Sequence, residues 1–444
     1  MRTLLFILLS LSSFAQTKDW VELQGKIDSA IKYKTVLVDI GYRSYVIDRP
    51  LIAAQWDSIK KDYTPFTIHI IGHSTMWDVG GISQITALHK DGPALAIHRG
   101  KGCVIRGINF QGAYRVQMSD SDFFKSEFKD YGDKTCRDAQ YSPYAAIVID
   151  PFRSNLPPDG GYPTLTSYYR GLGGNGGSTG FQIDNCTFNN FTIGMIFSPN
   201  GQTANCDLMK VEDIRIYNTK AGIVGCQAQE KSIKLNNINC WGRTHTLFVW
   251  GPYGNGTPGM YTINGVQIAG GVVRLVNRIS GGYFPLQIND VFTEQLGSIG
   301  QWHSLVGDRL SNSSIGFVPP EIAGFPNGGH IYGQQAGKGM TIENCNLRYY
   351  GKQWMPLLLN GTYTLNNCFF DTPPMTGYKG LDDTKMVKIG STEFGHPVYP
   401  DGTIVALCHY GSWIWQGQGM FKDGKIIYSN LPVKNYGVMI YKKL

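Results

Sequence analysis

Apolar and polar residues alternate along most of this chain in short runs, and the runs return in the same order. The phrase QIDNCTF at 182–188 sets apolar Ile183, Cys186 and Phe188 around polar Asp184, Asn185 and Thr187. It returns as TIENCNL at 341–347 and TLNNCFF at 364–370. Looser copies are VIRGINF at 104–110, VEDIRI at 211–216, KLNNINC at 234–240, TINGVQI at 262–268 and QINDVFT at 287–293. A period of two on both sides of a polar break is a strand pattern. The residue at the break is Gly107, Asn185, Asp213, Asn237, Gly265, Asp290, Asn344 or Asn367. Gly, Asn and Asp tolerate positive φ, so one such residue can turn a strand through a corner.

Successive breaks from 185 are 28, 24, 28, 25, 54 and 23 residues apart. The step of 54 reads as two periods of 27, with a degenerate copy near SSIGF at 313–317. The step of 78 from Gly107 to Asn185 reads as three periods of 26. Self-similarity at this interval is the mark of a solenoid. The LxxLxLxxN frame of leucine-rich repeats is missing, so the coils are built of strands. Each coil reads as strand, one-residue corner, strand, short turn, third strand and loop, as in IKLN, Asn237, INCW, GRTH, TLFVW and GPYGNGTPG. The fold class is therefore all-β, a right-handed parallel β-helix of about ten coils. Its core ladders are Ile108, Cys186, Ile214, Ile238, Val266, Val291, Cys345 and Cys368, then Phe110, Phe188, Ile216, Cys240, Ile268, Thr293, Leu347 and Phe370.

The two ends read differently. MRTLLFILLSLSSFAQ, residues 1–16, has a basic start, an apolar stretch too short to span a bilayer and a cleavage-like end, so it reads as a secretory signal peptide. No other stretch is long and apolar enough for a membrane span, and the mature protein is expected to be secreted or held at the cell surface. Residues 17–375 form the predicted β-helix, and the amphipathic run that begins LQGKIDSAIKY caps its open end. Past residue 376 the phase is lost, and DGTIVALCHYGSWIWQGQGMFKDGKIIYSNLP predicts a small C-terminal β appendage over 376–444.

Composition agrees with many turns between short strands: 16% of residues are charged and 55 of 444 are Gly. Lys plus Arg exceeds Asp plus Glu by seven, 40 against 33. That diffuse excess suits an acidic glycan and shows none of the clustering that nucleic acid requires. Nine Cys in an exported chain suggest disulfides. However, Cys186, Cys240, Cys345 and Cys368 fall in core slots, where free thiols act as small hydrophobes. There is no CxxC pair and no Cys/His set with zinc spacing, and neither a metal nor a cofactor is expected.

The stretch LVDIGYRSYVIDRPL at 37–51, followed by IIGHSTMWDVGGISQITAL, resembles the opening of the pectate-lyase-like superfamily. The resemblance runs over residues 18–375. It implies the β-helix fold, a polysaccharide partner and a place among lyases, glycoside hydrolases, epimerases and phage tailspikes. The tailspike members also imply a homotrimer.

The resemblance places active sites on the outer face of the sheet made by the third strand of each coil. Repeat alignment puts Ser198, Cys226, Trp250, Arg278 and His303 in one row at its strand ends, with Asp150 one coil earlier. Thr246 and Arg274 lie four residues inward, and Gln227, Glu230 and Tyr253 in the adjoining loops. The long Gly-rich stretch 155–180 leaves the same edge. Lyase chemistry on a uronate needs a cation for the carboxylate, a base for the C5 proton and an acid for the leaving oxygen. Arg274 and Arg278 supply the first, and His303 or Tyr253 the others. Hydrolysis needs two carboxylates, and Asp150, Glu230 and Glu294 are available. The predicted catalytic set is Asp150, Arg274, Arg278 and His303; Trp250, Tyr253, Gln227 and Glu230 bind substrate. The NTD, DD, GHG and RIK motifs of polygalacturonase-like hydrolases are absent, as is the acidic cluster of calcium-dependent pectate lyases. AQEKSIKLNN at 228–237 is similar to the Lys-bearing strand of alginate-lyase-like β-helices. Three functions follow: an exported polysaccharide-cleaving enzyme, a glycan-binding adhesin or tailspike-like protein, and a structural rod.

Overall fold

The computed structural model describes residues 17–77, 82–90, 92–114, 144–152, 177–197, 206–225, 232–250, 261–278, 285–302, 307–318, 331–333 and 340–349, with strand segments thereafter to 441. It is a parallel β-helix. Twenty-six strands join in one continuous hydrogen-bonded system, each pairing in parallel with its counterpart one coil away. Three sheets run along the body. The first stacks Leu37–Gly41, His69–Gly72 and Val104–Arg106, then the leading half of Gln182–Asn189 and so on to Tyr363–Asn366. The second begins with Ser44–Ile47 and Gln84–Ala87, and takes the trailing half of Gln182–Asn189. The third stacks Leu51–Ala53, Leu95–Ile97, Ala145–Ile149, Ile193–Phe197, Thr219–Gly225, Thr244–Trp250 and Val272–Arg278, and continues upward. Ten coils carry all three strands, and Tyr363–Asn366 and Phe369–Asp371 begin an eleventh.

The corners between the first and second sheets form the column that the polar breaks predict. Gly107, Asn185, Asp213, Asn237, Gly265, Asp290 and Asn344 all have φ between 51° and 70°. Asn312, φ 53°, fills the degenerate copy. Stacked polar groups tie the column along its length: Asn237 Nδ2 donates to Asp213 Oδ1 at 2.6 Å. Asn367 and Cys368 lie outside the described residues.

Inside, like rows stack on like. Cys186, Ile214, Ile238, Val266 and Val291 are register partners, as are Phe110, Phe188, Ile216, Cys240, Ile268, Thr293 and Ile315. All are buried, and the rings of Phe110 and Phe188 lie 6.0 Å apart. Burial pushes the thiols of Cys103, Cys186 and Cys240 up to about 12, and these three are free, while Cys206 and Cys345 are buried as well.

One repeat assignment changes. The 78 residues from Gly107 to Asn185 are a single coil, since Ile105 pairs with Ile183 and Phe110 with Phe188. The excess enters as two insertions, one before Ala145 and one after Phe152. Insertions at a corner leave the ladder intact, so spacing alone cannot distinguish a long coil from several short ones.

The helix α1, Lys18–Tyr33, closes the first coil. Thr17 caps its start by accepting from Trp20 N, and Leu23, Ile27, Ala30 and Ile31 face the core. Its polar side chains occupy strand-edge hydrogen bonds. Gln24 accepts from Ile52 N at 2.8 Å and donates to Ile52 O at 2.7 Å, while Asp19 accepts from Val46 N at 2.8 Å. An unpaired parallel edge is a template for another chain, and these side chains occupy it. At the other terminus Ile404–His409, Trp415–Lys422, Lys425–Tyr428 and Tyr436–Tyr441 form a separate antiparallel sheet.

Replacing Phe188 by Ala is expected to cost about 3–5 kcal/mol in denaturant unfolding, and a change near zero would show that the row is not load-carrying core. Thiol titration of the unreduced protein should find most Cys free once unfolded and slow to react when native. Four bridges and a single thiol would contradict the buried-thiol assignment.

Candidate functional site

The third sheet is buried on both faces. Ile147, Ile149, Met195, Phe197, Ile223, Phe248 and Trp250 join the main core. Ala145, Val148, Ile193, Ile196, Ala221, Val224 and Val249 form a second apolar cluster on the outside. Two outward rows can be followed by register. One runs Ala145, Ile193, Ala221, Thr246, Arg274, Ser298; the other runs Val148, Ile196, Val224, Val249, Asn277. The lower coils therefore carry an apolar outer face, and coils 6 to 8 turn it polar. Arg274 stands at the centre of this patch, only 1% exposed, with Thr246, Asn277 and Ser298 also buried.

The predicted site residues separate on this frame. Arg274 lies on the outward row beside Thr246, as the repeat alignment requires. Trp250 does not offer a sugar platform. It is 1% exposed, stacks on Tyr261 at 4.2 Å and belongs to the core. The reason is a break in alternation within the strand: the outward rows take Thr246 and Val249, three residues apart, so Phe248 and Trp250 turn inward. Trp250 pairs with Gly225, not with Cys226. A side chain at Gly225 would come within 2.5 Å of the indole, so glycine there makes room for it. Arg278 pairs with Trp250 in the backbone ladder. Gln227, Glu230, Tyr253 and His303 lie outside the described residues, as does most of 155–180.

Asp150 is a structural residue rather than an exposed acid. It is fully buried in a left-handed conformation, φ 58°. Its carboxylate accepts from Arg99 N at 2.8 Å, Ser178 N at 2.9 Å, Ser178 Oγ at 2.6 Å and Gly177 N at 3.1 Å. It thereby joins both ends of the insertion that follows it. His98 Nδ1 lies 3.6 Å from Asp150 and accepts from Phe152 N at 3.4 Å. Tyr63 covers the imidazole, with ring centroids 4.3 Å apart. Burial, against the opposing pull of Asp150, lowers His98 to about 4.

A second chemical cluster, absent from the sequence reading, lies on the outer face of the second sheet. Its outward row is Asn109, Thr187, Arg215, Asn239, Gln267, Phe292. Every member sits between two core ladder positions, so the row was readable; Arg and Phe are its departures from small polar residues. Trp241 follows the strand of coil 6, and Trp77 reaches the cluster from the connection between His69–Gly72 and Gln84–Ala87. Their rings meet edge to face at 5.6 Å. Only the fold could show that Trp77 arrives there, because 138 residues separate it from Arg215.

The fold defines the class, a single-stranded parallel β-helix. No protein-family model and no curated protein matches the chain. Among solved structures it is similar to full-length tailspike protein 2 from Escherichia coli O157:H7 bacteriophage CAB120, at 12% identity over 94% of this chain, TM-score 0.28. The chain spans 61% of that tailspike's length. It is similar to PfbA, a surface adhesin of Streptococcus pneumoniae, at 10% identity over 93% of this chain and 94% of that one, TM-score 0.31. The enzymatically active domain of bacteriophage CBA120 tailspike protein 2 gives 13% identity over 94% of this chain and 68% of that one, TM-score 0.29.

Two buried histidines should make the fold acid-sensitive. Burial lowers His98 and His245 from 6.5 to about 4 each. The unfolded chain takes up these protons near pH 6.5 and the folded chain only near pH 4. Stability is thus full above that window, falls as pH drops through it and is lost below it, at about 3 kcal/mol or less per histidine. Denaturation midpoints compared near pH 7 and about pH 4.5 should fall less in His98→Asn, which keeps an acceptor for Phe152 N but loses the titrating ring. An equal fall in both proteins would remove His98 from this account.

Proposed function

We propose that this protein is an exported β-helix that binds an extracellular polysaccharide and cleaves it at the outer face of the third sheet, around Arg274. One observation supports the reading above all. On a face otherwise built of alanine, valine and isoleucine, coils 6 to 8 place Thr246, Arg274, Asn277 and Ser298 side by side and shield them from water. Burying charge is costly, and a shielded guanidinium acts strongly on charge that develops beside it. In this reading Arg274 takes the carboxylate of an acidic sugar. His303 and Tyr253 divide the removal and delivery of protons. Gln227 and Glu230 hold sugar hydroxyls. The signal-like 1–16 segment directs export, and the tailspike resemblance implies a homotrimer, which light scattering would register as threefold the chain mass.

A second reading, a glycan-binding adhesin without catalysis, is favoured by one specific feature. The two outward rows of the third sheet hold no carboxylate among the described residues, and the Asp150 carboxylate is already engaged. A panel of acidic and neutral polysaccharides separates the readings. Ultraviolet absorbance of an unsaturated uronide marks a lyase, new reducing ends without it a hydrolase, and binding without product an adhesin. Arg274→Ala is expected to lower turnover about 10²–10³-fold in an enzyme, or affinity about tenfold or more in an adhesin. Parent-like binding and turnover would remove Arg274 from the site.

A further inference from the structure

The second sheet carries a feature that the third-sheet site does not use. Arg215 is 2% exposed, yet no carboxylate pairs with it among the described residues. Its single hydrogen bond there runs from Nη1 to Trp77 O at 3.4 Å, and its Nε is buried without a partner. What surrounds the charge is aromatic. The guanidinium carbon lies 3.9 Å from the ring centre of Trp241, 5.0 Å from Trp77 and 5.4 Å from Tyr217. Aromatic faces offset part of the cost of burying a cation, but they do not satisfy its N–H donors. The two register neighbours below repeat the pattern: Thr187 Oγ1 and Asn109 Oδ1 are buried and unbonded, and both residues are less than 5% exposed.

The rims of this cluster are open. Trp77 is 53% exposed and Trp241 40%, although indoles of that size are usually covered. Upward from Arg215 the same row continues through Asn239 and Gln267 to Phe292, itself 41% exposed. Three coil steps separate Arg215 from Phe292, about 14 Å along the body. Aromatic faces at both ends of an amide-lined row, with a guanidinium beneath one end, match one ligand chemistry. A sugar ring presents C–H groups to an indole face, hydroxyls to amides and a carboxylate to a guanidinium. An acidic peptide would use the cation but has no need of the exposed indole faces.

We propose that Arg215, Trp77 and Trp241 form a second carbohydrate subsite, on the second sheet and separate from Arg274, that takes a uronate residue of the polymer. The half-exposed Trp77 stands at its mouth, and turning that side chain uncovers the guanidinium. The subsite holds the chain and performs no bond cleavage. It rests on the reading of this protein as a polysaccharide binder.

The test uses the full mature chain, an oligouronate and the same oligosaccharide with its carboxyls reduced to alcohols, with tryptophan fluorescence and calorimetry as readouts. The oligouronate should perturb the fluorescence and bind about tenfold or more tighter than its reduced form. Arg274→Ala removes the third-sheet share of that preference; in that background Arg215→Gln should erase what remains, and Trp77→Ala should weaken both ligands alike. Trp77→Ala changes an exposed side chain, so it keeps the test valid if Arg215→Gln does not fold. Oligouronate binding unchanged by Arg215→Gln and Trp77→Ala but lost in Arg274→Ala would overturn the subsite and leave the third-sheet reading standing. Equal binding of an acidic peptide at Arg215 would overturn the sugar assignment. If no saccharide binds at all, the polysaccharide reading fails first and the subsite falls with it.

Discussion

Everything in this molecule depends on parallel hydrogen bonding between a strand and its counterpart one coil away. Because the pairing is in register, each side chain meets its equivalent above and below, and the structure becomes a set of rows. A row must be of one character: Cys186, Ile214, Ile238 and Val266 stack inward, while Thr187, Arg215 and Asn239 stack outward. The register survives only where the chain turns by the same amount in every coil. The column of left-handed residues from Gly107 to Asn344 provides that turn. Asn and Asp accept the strained conformation and link to their neighbours through side-chain hydrogen bonds, as Asn237 does to Asp213. The corner is thus a geometric element and an inter-coil bond at the same positions.

This dependence explains which parts of the molecule could be read in advance. A repeated corner and a repeated apolar slot leave a repeated mark, so the core rows and the corner at the degenerate copy were legible. The third strand has no such marker at its end. Strict alternation from Thr246 puts Trp250 on the outer face, but the outward rows take Thr246 and Val249, and that break in alternation carries Trp250 into the core. Asp150 shows a different limit. Its strand end was identified correctly, but the bonds it makes to Ser178 cross an insertion whose closure cannot be inferred from spacing. Arg274 was legible because its row partner Thr246 sits at the same distance from its own corner.

The outer faces differ because their neighbours differ. On the third sheet, Tyr63 and Phe152 lie over Ala96 in the early coils, and the apolar cluster from Ala145 to Val249 follows. On the two rows followed by register, polar residues appear among the described residues only from coil 6 upward. On the second sheet the outward row is polar from the start, and its aromatic residues sit at the rim rather than beneath cover. A sheet whose outer face is apolar is built to be covered. A sheet whose outer face is amide and indole is built to meet something that brings both hydroxyls and apolar surface.

The connection that carries Trp77 has a consequence for how the body comes apart. In a solenoid each coil touches only its neighbours, so coils can in principle open one at a time from either end. The connection belongs to coil 2, yet Trp77 is held by Arg215 of coil 5 and lies against Trp241 beside coil 6. It acts as a brace across coils that are not adjacent. Coils 2 to 6 then open as one cooperative unit, whereas those above can fray singly. The N-terminal half of the rod becomes a single foldon, and the far half a series of smaller ones.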